Sequence, residues 1–99
     1  MSQAELQCQS AGHYSLIGEL SFETVPGLVS AGEQLFQSES KVLLDLSQLE
    51  RSDSAGLALL MSWLRQARYK RCELRFQQVP EQLLRLARVS AVDQLLLSV

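Results

Sequence analysis

The stretch KVLLDLSQLERSDSAGLALL, residues 41–60, decides the fold. Lys41 to Leu46 is an apolar run broken only by Asp45, the pattern of a strand covered on both faces within an α/β sheet. Ser47 to Ser52 reads as a polar link. A helix then opens at Asp53 or Ser54 and runs to about Lys70, with Leu57, Leu60, Met61, Leu64 and Ala67 as its buried stripe. Asp53 and Ser54 are residue types that cap free helix-start amides, and Gly56 in the first turn lets another backbone come close. A helix start of this kind also suits an added phosphate, which the amides and the helix dipole both favour.

Upstream, Glu5 to Cys8 alternates polar and apolar residues as a half-buried strand does, and His13 to Leu20 is a second strand after a turn at Gly12. The two read as a hairpin. Val25, Leu28, Val29, Gly32, Leu35 and Phe36 then repeat with the period of a helix. Ser21 or Thr24 is its expected cap, Pro26 is tolerated in its first turn, and Ser38 to Ser40 end it. Downstream, Cys72 to Phe76 alternates as a strand, Pro80-Glu81 opens a third helix carrying Leu83, Leu84, Leu86 and Ala87, and Asp93 to Val99 reads as a last strand. The resulting order, ββαβαβαβ, is that of an α/β domain with a mixed, mostly parallel sheet. Right-handed crossovers place its first two helices on the same side.

Composition bounds the function. Ninety-nine residues, 46% apolar and 20% charged, make one domain (residues 1–99) with a mostly leucine core. Its longest apolar run, Leu57 to Met61, is far too short for a membrane span, and the N-terminus lacks the basic and apolar regions of a signal peptide. A cytoplasmic chain is therefore expected, with residues 1–4 fraying. Cys8 and Cys72 share no ligand spacing with each other or with His13, the only histidine, so no metal site is expected and both thiols read as reduced and mostly buried.

Residues 1–50 hold seven acids and one base, a charge of −6; residues 51–99 hold eight bases and four acids, +4. Arg65, Arg68, Lys70 and Arg71 cluster where the second helix ends, a favourable place for cations. The net charge of −2 argues against nucleic acid. No glycine-rich phosphate loop, G-x-S-x-G elbow or histidine–nucleophile spacing occurs, so no catalytic residue and no cofactor is assigned. Leu59 and Trp63, an i, i+4 pair, lie well round from the centre of the second helix's stripe. Either that helix is buried over a wide arc, with Trp63 covering the edge of the core, or the pair belongs to a contact surface, where Trp is a favoured anchor.

The segment LLDLSQLERSDSAGLALL resembles the signature of STAS domains, which occur in anti-sigma-factor antagonists, sulphate-transporter tails and lipid-transport complexes. LIGELSFETVPGL is similar to the family's second strand and first helix, and LARVSAVDQLLL to its later LxxSGxxxxL segment, with Ala91 where Gly is usual. Within the family, Ile17 to Leu20, Pro26 and Asp53 to Leu60 look most like the small cytoplasmic subunits of bacterial phospholipid-transport ABC complexes, which maintain outer-membrane lipid asymmetry. The resemblance implies a non-enzymatic subunit that binds and regulates or stabilises the ABC ATPase, and is held at the inner membrane through the permease without entering it. Asp53, Ser54, Ala55, Gly56, Leu59 and Trp63 are then the expected partner-binding residues. The alternative is an anti-sigma-factor antagonist that binds a serine-kinase anti-sigma factor. Those antagonists accept phosphate on a serine whose place is taken here by Ala55, which has no hydroxyl; Ser54, one residue earlier, is the remaining candidate acceptor.

Overall fold

The computed structural model describes residues 3–97 and consists of five strands and four helices. The hairpin forms as the alternation implies: β1 (Ala4–Ser10) runs antiparallel to β2 (His13–Leu20). Gly12 makes the turn at φ 73°, which suits a residue without Cβ. Because β1 begins at Ala4, and the Gln3 carbonyl accepts a bond from Glu19 N, residues 3 and 4 are paired rather than frayed. Residues 1 and 2, the rest of that expectation, lie outside the described residues.

Helix α1 (Pro26–Ser38) starts with its proline in the first turn, as expected. Its N-cap is Val25, which makes no side-chain cap bond. Ser21 and Thr24 instead build the turn before it. Ser21 Oγ accepts from Glu23 N, while Thr24 Oγ1 accepts from Ser21 N and donates to the Glu19 carbonyl.

Strand β3 (Lys41–Asp45) lies parallel to β2 on one side and to β5 (Glu73–Gln77) on the other. The segment expected to be only a polar link contains a fourth strand, β4 (Leu49–Ser52), parallel to the far end of β2. Asp45 Oδ1 accepts from Ser47 N and the Leu46 carbonyl from Leu49 N, a tight turn that lets β3 and β4 follow one another along β2. The sheet order is β1-β2-β3-β5, so the sheet is mixed and mostly parallel.

Helices cover only one face of this sheet. Val42 and Leu44 point into the core, while Lys41, Leu43 and Asp45 on the other face are exposed or half-buried. β3 is therefore not covered on both sides; the apolar Leu43 hid the alternation. In register with Leu43 and Asp45, the open face continues through Arg75 and Gln77 of β5.

Helix α2 (Ser54–Tyr69) packs on strands β4 and β5 of the sheet and against α1. Its buried face is wider than the expected stripe and rotated from it: Leu57, Leu59, Leu60, Trp63 and Ala67 are buried, whereas Met61 and Leu64 are half-buried at the margin. Trp63 meets Phe36 of α1 edge to face, with ring centroids 6.2 Å apart. Its pyrrole edge rests on Gly32, one turn before Phe36 on the same face of α1. A methyl built on Gly32 would lie 2.5 Å from Trp63 Cε2 and 2.8 Å from Cδ1, and closer still to Nε1.

The last expected strand is replaced by a helix. After α3 (Glu81–Val89), residues Asp93–Leu97 form α4, which buries Leu96 against the core. Residues 98 and 99 of that expectation lie outside the described residues. Helices α2 and α3 end alike. The residue after each cap is left-handed (Arg71 at φ 61°, Ala91 at φ 58°), and the next amide bonds back to the third-last carbonyl, Cys72 N to Ala67 O and Val92 N to Ala87 O. Of the two thiols, both free, Cys72 is buried and Cys8 is exposed, which corrects the reading of both as buried.

Candidate functional site

The start of α2 is fixed by three local features. Asp53 is extended, its amide donates to the Leu20 carbonyl at the end of β2, and its Oδ1 accepts from Ala55 N at 2.8 Å. Gly56 and Leu57 both donate to the Asp53 carbonyl. Gly56 is packed so closely that an added methyl would sit 2.8 Å from Leu20 Cβ and closer to Ser52 Oγ. Its lack of a Cβ therefore admits strand side chains rather than a neighbouring backbone. The amides of Ala55, Gly56 and Leu57 are engaged within the chain, with a carboxylate already on the first of them. This helix start is a capped turn rather than an open anion cradle.

Of the six residues expected at a partner surface, the fold exposes two. Asp53 and Ser54 face outward; Ala55 and Gly56 are buried against the strand ends. Leu59 is 2% exposed and Trp63 1%, both inside the core formed with α1. That burial is the wide-arc alternative raised by the sequence, and it takes Leu59 and Trp63 off the free surface. One turn after Ser54, Ala58 continues the outward face, followed by the half-buried Ser62.

Sequence periodicity missed Phe22, which is 76% exposed. It follows by two residues Leu20, the last residue of β2, whose carbonyl holds the Asp53 amide, so it belongs to the same end of the molecule as Ser54. The signal was available in principle: Phe22 falls between a strand and a helix, off the period of both, in the polar setting SFET. The bonds among Ser21, Glu23 and Thr24 make its platform rigid. Beside this turn lies a polar cleft lined by Glu5, Glu19, Glu23 and Glu50, which gives this end an acidic character.

Two groups titrate away from their ordinary values, and both lie elsewhere. Tyr14 donates to Glu39 Oε2 at 2.8 Å, and that bond, with some burial, pushes its hydroxyl up to about 12. Burial, followed by the negative charges of Glu39 and Glu73, raises the Cys72 thiol. Among the described residues no group of three or more His, Cys, Asp or Glu side chains is placed to hold a metal ion. The arrangement offers a rigid contact surface: an exposed aromatic, a capped helix start carrying a hydroxyl, and acidic neighbours.

The family model described as "Mlab, STAS domain" matches residues 7–98. No curated protein matches the sequence. Among solved structures, a chain of the Acinetobacter MlaFEDB complex in its ATP-bound Vtrans2 conformation is 26% identical, with a TM-score of 0.77, covering 91% of this chain and 94% of that one. The Bacillus cell fate determinant SpoIIAA in its phosphorylated form is 13% identical with a TM-score of 0.69, covering 90% and 84%. An anti-sigma factor antagonist from Mycobacterium paratuberculosis is 18% identical with a TM-score of 0.70, covering 96% and 82%. The last two share the fold; the first shares the fold and more of the sequence. With the family model spanning nearly the whole chain, this protein belongs to the MlaB-type STAS domain family.

Proposed function

We propose that this chain is the STAS subunit of a phospholipid-transport ABC complex, bound to an MlaF-like ATPase subunit and through it to the membrane permease. The observation that carries the reading is the family match over residues 7–98 together with the likeness to a chain of the MlaFEDB complex. Its role is to stabilise the ATPase or bias it toward its ATP-competent state, without chemistry of its own. The docking surface is the exposed part of the site, Asp53, Ser54 and Ala58 with Phe22 as the aromatic anchor. Among the described residues no helix is long and apolar enough to cross a membrane, in keeping with a peripheral subunit on the cytoplasmic side of the inner membrane. Ala55 counts against phosphate switching of the antagonist kind, since it carries no hydroxyl to accept phosphate, though not against binding an anti-sigma factor. Ser54 is read as a contact residue.

The test is a pull-down of the tagged chain from its native host in mild detergent, with the partners identified and the intact mass of this chain recorded by mass spectrometry. Recovery of the ATPase and permease with an unmodified chain is expected. Ser54→Asp and Phe22→Ser should each weaken the association by about tenfold or more, the first by burying a carboxylate at the contact and the second by removing the anchor. If instead a soluble serine kinase is recovered and no ATPase, the chain is an antagonist. If both variants bind the ATPase as tightly as wild type, the contact lies elsewhere.

A further inference from the structure

At the other end of α2, about 22 Å from Ser54 at 1.5 Å per residue, the surface changes character. A groove of about 940 Å³ runs between the last turns of α2, the start of β5 and α4. Met61, Leu64, Leu74 and Leu95 contribute apolar lining, and Leu95 is still 49% exposed. Arg65, Arg68 and Arg71 stand along its α2 side, all exposed. None of the three is in a salt bridge among the described residues, where Arg75, Arg85 and Arg88 all are. The one carboxylate on the groove, Glu73, is held by Arg75 at 3.1 Å. Tyr69, 83% exposed, projects beside it, with Lys70 Nζ 5.8 Å from its ring. Unmatched apolar area and unmatched positive charge thus coincide on a chain whose net charge is negative.

We propose that this groove is a second docking surface, and that its occupant is an acidic amphipathic helix of a protein partner. The charge and its spacing select that occupant. Arg65 and Arg68 are about one turn apart on α2, so a helix laid alongside meets them with one acid per turn while its apolar stripe covers Met61, Leu64 and Leu95. A membrane fits less well. The apolar residues line a concavity rather than a protruding tip, and the acidic half of the chain opposes adsorption to an anionic leaflet. A second copy fits less well too, because each copy would bring net negative charge of which little is on an apolar helix face. The proposal does not depend on what Ser54 and Phe22 bind. It makes the subunit a bridge with two ends, one acidic and one basic.

The test uses the full chain and a fluorescein-labelled amphipathic peptide with Leu at i, i+3, i+4 and i+7 and Glu elsewhere, followed by fluorescence anisotropy at low salt. The same peptide with Lys for Glu is the control, and phosphatidylglycerol vesicles form a separate arm. The Leu/Glu peptide should bind and the Leu/Lys peptide should bind much more weakly. Arg65→Gln/Arg68→Gln should weaken the Leu/Glu peptide about tenfold, and added salt should do the same. Met61→Gln should weaken it without any change of charge. Arg85→Gln/Arg88→Gln, which removes the same charge from exposed sites on α3, should leave binding within about twofold. Far-UV circular dichroism confirms that each variant is folded. No preference for the acidic peptide, or equal loss from the two arginine pairs, overturns the proposal. So does vesicle binding with no binding of the Leu/Glu peptide, which would assign the patch to a lipid surface.

Discussion

Replacing Gly32 by alanine separates two opposing effects whose sizes the structure supplies. In an exposed helix the change stabilises by about 1 kcal/mol, because alanine restricts the unfolded chain and glycine does not. Here the new methyl falls 2.5 Å from Trp63 Cε2 and 2.8 Å from Cδ1, and nearer still to Nε1. The indole is rigid, fully buried and held from the side by Phe36, so it cannot swing away as a flexible side chain would. Overpacking of this kind costs about 1–3 kcal/mol, and three ring atoms inside contact distance place it at the upper end. The net expectation is a loss of about 1–2 kcal/mol, or roughly 5–15 °C in Tm for a domain of this size. Urea unfolding followed by circular dichroism and by the fluorescence of Trp63, the only tryptophan, measures it. The companion variant Trp63→Leu removes the clashing atoms and costs about 2–4 kcal/mol by itself. In that background Gly32→Ala should become neutral or stabilising, giving a coupling of about 1–3 kcal/mol. A stabilising Gly32→Ala in the wild-type background, or additivity within about 0.3 kcal/mol, would show that the α1–α2 contact is not built on this glycine.

Three further variants probe local features. Ala91→Gly should stabilise by about 0.5–1 kcal/mol, because a left-handed φ of 58° strains a residue with Cβ by more than glycine's extra unfolded-state entropy takes back; an unchanged urea midpoint would contradict it. Asp53→Ala should cost about 1 kcal/mol through loss of the cap on Ala55 N, and Asp53→Asn should recover most of it, read from thermal melts. Tyr14→Phe should cost about 0.5–1 kcal/mol at neutral pH. Because the folded hydroxyl is raised to about 12 from an unfolded value near 10, its contribution is complete below about pH 10 and lost as pH rises through the folded value. The gap between Tyr14→Phe and wild type should therefore close across that window in urea titrations, and a gap independent of pH would exclude the Glu39 bond as its source.

What the sequence made legible was governed by local period and cap chemistry. The hairpin, α1, α2 and β5 follow from alternation or 3.6-residue spacing, and Asp53 is the cap its side chain suggests. Failures came where tertiary context decided. Residues 49–52 carry no alternating apolar signal, and they are a strand only because β2 extends beyond β3 and offers them an edge. Asp93–Leu97 reads equally as strand or helix over so few residues; the left-handed Ala91 and the burial of Leu96 settle it as helix. Trp63 is ambiguous in the sequence for a different reason. Its place on the helical wheel was right, but the arc is wide because α1 and the sheet both press on α2, and Gly32 makes the room. Nothing in the residues around position 63 shows that an α1 glycine faces it.

The same geometry provides a way to distinguish contact from support along α2. Ser54 is held outward by a capped turn and touches little within the chain, so Ser54→Asp should change stability by no more than about 0.5 kcal/mol. Its added charge also lies at a helix N-terminus, where the dipole favours it. Leu59 is enclosed, and Leu59→Ala should cost about 2–5 kcal/mol. Both variants would reduce recovery of a partner in a simple pull-down, for unrelated reasons. Measured against folded concentration rather than total protein, Leu59→Ala should bind as wild type does and Ser54→Asp should not. If Leu59→Ala still binds weakly after that correction, the buried face of α2 opens toward the partner on association, and the separation of a packed face from a displayed start fails. If Ser54→Asp destabilises the chain as much as Leu59→Ala, the start of α2 is packed rather than displayed. The first result would extend the docking surface onto the face of α2 that carries Leu59; the second would shift it away from Ser54 and onto Phe22, which is exposed on its own turn.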